Sequence, residues 1–97
     1  MEQQKRVSAR EADLVAAEQA VRQMESALDA LEAALPRLRA LNAYLGSPEW
    51  YADRAADESG AFPPTLHRGV LTEDAIYDLL TDYRALREQV RSLPEEL

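Results

Sequence analysis

The sequence predicts an all-α protein. The expected form is an elongated antiparallel helical hairpin: a long kinked helix, a short connector helix and a second helix, with coiled-coil-like packing. Three observations predict it. Val7, Leu14, Val21, Leu28 and Leu35 fall seven apart, and Ala17, Met24, Leu31, Leu38 and Leu45 make a second series three positions on. That is the a/d seam of a coiled coil, broken only by Arg10 and Asn42. A second stripe, Ile76, Leu79, Tyr83, Leu86, Val90 and Leu93, recurs near the other end, widened by Leu80. Glycine occurs only three times in 97 residues, while alanine and leucine dominate, the composition of a helical chain.

The first helix is expected over residues 4–45. Gly46 is its natural stop, because glycine takes positive φ without a Cβ clash. At about 1.5 Å rise per residue it would be roughly 60 Å long. Pro36 cannot donate to the carbonyl of Glu32 and crowds that turn. The stripe keeps its phase across it, so a kink is expected rather than a break. The flanks of the seam differ. Positions e hold Glu11, Glu18, Glu25 and Glu32, and positions g hold Asp13, Ala20, Ala27 and Ala34. An antiparallel pair of such helices would set glutamate against glutamate. A parallel pair would set Glu18 near Asp13. Neither gains from charge pairing, which favours a different helix as the cover.

Residues 46–71 form the connector. Ser47-Pro48-Glu49-Trp50 reads as a helix start, with serine as N-cap, proline at N1 and an acid in the first turn. A short helix from Pro48 to about Asp57 follows, closed by Gly60. Phe62-Pro63-Pro64 should be extended, because the residue before a proline avoids helix. Gly69 permits a bend into the next element. The apolar residues here, Trp50, Tyr51, Phe62, Leu66, Val70 and Leu71, predict that the connector packs.

The second helix is expected over residues 72–93, with 94–97 as a tail in a single domain. Thr72 can cap an early backbone N–H, Glu73 and Asp74 complement the helix dipole, and Leu71 and Ile76 sit at the two positions of a hydrophobic staple. Arg84, Arg87 and Arg91 suit the far end, and Pro94 stops the helix. At about 21 residues it spans roughly 30 Å, half the first helix. Folded back over Leu28 to Leu45, it would bring Arg87 near Glu32 and leave Leu14, Ala17, Val21 and Met24 uncovered. An exposed apolar stripe of that length is unusual in a monomer. These four residues are therefore the candidate oligomer interface, and a dimer or tetramer of the chain is expected.

Tyr44-Leu45-Gly46-Ser47-Pro48-Glu49-Trp50, followed by Arg68-Gly69-Val70-Leu71-Thr72-Glu73-Asp74-Ala75-Ile76-Tyr77-Asp78-Leu79-Leu80, resembles a family of small bacterial proteins classed as a domain of unknown function. The resemblance extends over almost the whole chain, and its specific part is the connector and the start of the second helix. The family's pattern often carries an aromatic where Leu45 stands. The resemblance implies a bacterial helical protein and brings no activity, cofactor or catalytic residue.

Net charge is −7. Residues 1–45 carry seven acids and six bases, whereas residues 46–97 carry eleven acids and five bases. That balance disfavours nucleic acid and anionic membrane as partners. Cysteine is absent, which excludes disulfides and thiolate metal sites. The charged N-terminus Met1–Arg6 does not read as a signal peptide, and no apolar run approaches the about 18 residues of a membrane span. A soluble cytoplasmic protein is expected.

Chemistry-bearing residues are few. His67, beside Arg68 and with Asp53 or Asp57 in reach, would suit an acid/base group or a metal ligand. A lone histidine in a proline-flanked loop is more often a surface or packing residue. Asp74, Asp78 and Asp82 share one helical face and suit a divalent cation, but no matching ligand motif exists on another helix, and a solvated acidic face explains them. Trp50, Tyr44, Tyr51, Phe62 and Tyr77 suit either a small pocket or a minicore that locks the connector in place. No catalytic, cofactor-binding or metal residue is assigned. Trp50, Tyr51, His67, Arg68, Asp74 and Tyr77, which gather aromatic, basic and acidic groups around one connector, are the candidate protein-binding surface. The expected function is that of a structural or adaptor protein acting through homo-oligomerisation and an unidentified protein partner. The rival readings are a small metal-binding or catalytic regulator using His67 and the aspartates, and a coiled-coil regulator that sequesters a partner helix.

Overall fold

The computed structural model of the protein describes residues 1–97. It has three α-helices, α1 (Glu2–Tyr44), α2 (Pro48–Glu58) and α3 (Glu73–Arg91), with a 3-10 turn at Gly69–Leu71 and no strand. The all-α class holds, and the element order is consistent with a helical hairpin. None of the three helices is long and apolar enough to cross a membrane. By packing, the chain divides into two units, Met1–Leu35 and Pro36–Leu97.

The first unit is helix throughout from Glu2. Its alanine, glutamate, glutamine and arginine content gives each position a strong helical preference. Short-range ion pairs decorate it, Arg10 with Asp13 at 3.0 Å and Arg22 with Glu18 at 3.3 Å. Each contributes a few tenths of a kcal/mol at most, about 0.2–0.5 for a solvated pair of this spacing. No residue of α1 is buried.

The second unit holds the core. α1 continues through Pro36 without interruption to Tyr44. Gly46 then adopts φ +76 and the Ser47 N–H returns to the Tyr44 carbonyl at 3.0 Å, a tight turn that needs the left-handed residue at its third position. Ser47 caps α2 by accepting from the Trp50 N–H at 3.1 Å. α2 ends in a Schellman arrangement, with Gly60 at φ +79 donating to Asp57 and Ala61 donating to Ala56. Phe62–Pro64 is not helical, but the extended run expected there is interrupted: Phe62 bends and Pro64 lies in a turn closed by the Leu66 N–H donating to the Pro63 carbonyl at 3.0 Å. Gly69 opens the 3-10 turn without positive φ, so the bend expected there uses ordinary backbone. Thr72 caps α3 by accepting from Ala75. The staple residues Leu71 and Ile76 are both buried.

Trp50, Leu71, Ile76 and Leu80 form the core. On α3 the buried positions are therefore Ile76 and Leu80, with Tyr83 half-buried. Of the stripe expected to face inward, Leu79, Leu86, Val90 and Leu93 stay exposed. The stripe is real, but the fold uses one edge of it. Four-residue spacing from Ile76 to Leu80 places both on the side that carries the staple. Among the five ion pairs neither Arg87 nor Glu32 appears, so the pairing expected of them is not made.

Candidate functional site

The connector residues are held by a network that begins at Trp50. The Ser47 cap fixes the first turn of α2 and so orients Trp50. The residue is 4% exposed, and its indole Nε1–H donates to the Val70 carbonyl at 2.9 Å. A buried indole needs such a partner, because an unsatisfied N–H would carry its full desolvation cost. The bond ties α2 to the residue before Leu71 and sets where α3 begins.

Charged side chains repeat the tie on both sides. The Arg68 guanidinium donates to the Asp57 carboxylate, with both side chains about a third exposed or less. Arg54 donates to Glu73 at 2.9 Å across from α2 to the first turn of α3. The same guanidinium lies 5.2 Å from the Trp50 ring centroid, a cation–π distance. Tyr51 meets Trp50 edge-on, with centroids 5.0 Å apart. Tyr44, at the end of α1, donates its hydroxyl to Asp53 at 2.6 Å. That bond first, then desolvation and the negative charges of Asp53 and Glu49, pushes the Tyr44 phenol up to about 12.

The six residues expected around the connector divide into two groups. Trp50 is core, so a change there reads out folding before it reads out binding. Arg68 is half-buried and committed to Asp57. Tyr51, His67, Asp74 and Tyr77 are exposed, and the side chains of His67, Asp74 and Tyr77 make no hydrogen bond or ion pair. The minicore reading of the aromatics applies to Trp50, with Tyr44 and Phe62 half-buried, while Tyr51 and Tyr77 remain outside it. Asp53 and Asp57, considered as neighbours for His67, are taken by Tyr44 and Arg68. No group of three or more histidine, aspartate or glutamate side chains is arranged to hold a metal ion, the Asp74, Asp78 and Asp82 face included. The sequence reading missed Arg54. Its signal was present, since Arg54 stands four residues after Trp50 on a helix and so shares its face.

The candidate oligomer residues lie together on one side of α1. Leu14 is 51% exposed, Val21 65% and Met24 40%, and Ala17 is also exposed. Val7 and Leu28 extend the same line and are exposed as well. On one flank stand Glu11, Glu18, Glu25 and Glu32, and on the other Ala20, Ala27 and Ala34. Apart from Glu18, which reaches Arg22 on its own helix, these glutamates take part in no ion pair. The surface is apolar along its line, small on one edge and anionic on the other.

No curated protein and no solved structure matches the chain. A family model described as a domain of unknown function (DUF4298) matches residues 7–93, the heptad region, the connector network and α3 alike, and the chain belongs to that family.

Proposed function

We propose that the protein is a structural or adaptor protein, not an enzyme, that works by helix-to-helix association with a second copy of itself and through that assembly with another protein. The observation that carries this reading is the exposed apolar line Val7, Leu14, Val21, Met24 and Leu28 on α1. An isolated helix draws little stability from its own hydrogen bonds, and most helices rely on burying an apolar face. A line of this length at seven-residue spacing suits a helical partner. The connector supports the non-enzymatic half of the reading. Arg54, Asp57 and Arg68 are spent on ties that join α2 to the segment leading into α3, and Tyr51, His67, Asp74 and Tyr77 remain at the surface for a second contact. The proposed setting is the bacterial cytoplasm, where a net charge of −7 favours solubility.

Light scattering behind a sizing column, over a wide concentration range, tests the first contact. The expected result is a stable dimer or tetramer. L14E/V21E should shift it to monomer while the second unit keeps its cooperative melt. A wild-type monomer at every concentration would overturn the self-association reading.

A further inference from the structure

The α1 line is matched by a second unpartnered face in the same chain. On α3, Leu79 is 43% exposed, Leu86 53% and Val90 44%. At about 100° per residue these three fall within an arc of about 40°, beside the buried edge made by Ile76 and Leu80. Arg87 borders this arc at position e of the α3 heptad, with Arg84 and Arg91 beyond it on the same side. Arg84 and Arg87 take part in no ion pair, and Arg91 reaches only Glu88 of its own helix at 3.4 Å. The fold thus leaves one apolar face edged with arginine on α3 and one edged with glutamate on α1.

Resting on the self-association reading, we infer that the occupant of the α1 line is the α3 face of a second copy, docked antiparallel. Charge decides among the alternatives. Antiparallel packing sets position e against position e of the partner helix. Two α1 helices packed that way bring Glu18 and Glu25 against glutamate. Two α3 helices bring Arg87 against arginine. The α1–α3 combination brings Arg87 of one copy against the glutamate edge of the other, and leaves Ala20 and Ala27 facing Asp82 and Gln89, where small side chains permit close approach.

Two charge-reversed full-length chains test this, E18R/E25R on α1 and R84E/R87E on α3; Glu25, Arg84 and Arg87 are exposed, Glu18 is half-buried, and none belongs to the core. Helicity by circular dichroism checks that both fold. Each variant alone should associate at least about tenfold more weakly than wild type at low salt, a difference of about 1.4 kcal/mol. An equimolar mixture should recover association as a heterodimer, and high salt should weaken the wild-type assembly. A wild-type dimer whose affinity is unchanged by R84E/R87E, or a mixture that fails to recover, overturns the α1–α3 pairing and leaves self-association standing. A wild type that never associates overturns both.

Discussion

The Tyr44 hydroxyl donates to the Asp53 carboxylate at 2.6 Å, and the phenol is raised from its ordinary value near 10 to about 12. The neutral phenol is the form that makes the bond. Its contribution is therefore complete below pH 10, declines as pH rises from 10 to 12, and is absent above that. Tyrosinate absorbance should show one of the four tyrosines ionising near pH 12, and Tyr44→Phe should remove that component. The same variant should flatten the loss of stability between pH 10 and 12, followed by denaturant titration at each pH. If all four tyrosines ionise together in wild type, the bond is not formed in solution. At this scale the sequence carried part of the site. It named Trp50, Arg68 and Tyr44, because aromatic and charged residues around a helix start are visible as such. It did not name Arg54 or pair Arg68 with Asp57, because those contacts join residues 11 and 19 positions apart across a bend.

At the scale of the elements, helix ends follow local rules and were legible. Ser47, Gly46, Gly60 and Thr72 cap or turn where their side chains or their freedom at positive φ allow. Gly46 and Gly60 sit at φ +76 and +79, where an alanine would bring its Cβ against its own backbone. Gly60→Ala should lower stability by about 1–2 kcal/mol. Gly69 has no positive φ and open space where a Cβ would stand. Gly69→Ala should leave stability unchanged or raise it by about 0.4–1 kcal/mol, since it restricts the unfolded chain. Chemical denaturation of the two variants side by side checks the contrast. Equal losses at both positions would mean that Gly69 serves something other than backbone freedom. What the element scale hid was the face of α3. Periodicity located a stripe from Ile76 to Leu93 and could not say which edge of it meets Trp50 and Leu71.

For the whole molecule, the two units differ in how they are held. The second has a core around Trp50, Leu71, Ile76 and Leu80, and the first is helix with no buried residue. Local stability follows burial. Amide hydrogen exchange in dilute protein should therefore be fast over residues 5–30 and slow around Ile76 and Leu80. Raising the protein concentration should slow exchange in the first region if it is covered by a second copy. Exchange in residues 5–30 that is slow at every dilution would show that this helix needs no cover. The family match covers residues 7–93, a span that includes both the exposed line and the core.

The sequence by itself determined the helical class, the caps and turns, and the apolar line on α1, because each depends on residues close together along the chain. Only the tertiary structure decided that Trp50 is a core residue bonded to Val70, that Arg54 and Arg68 serve as ties, and that Leu79, Leu86 and Val90 are left outside. Those outcomes depend on which face of one element meets another. A period of seven residues specifies that such a face exists, and the rotation of the helix against its neighbours specifies which side of it is covered.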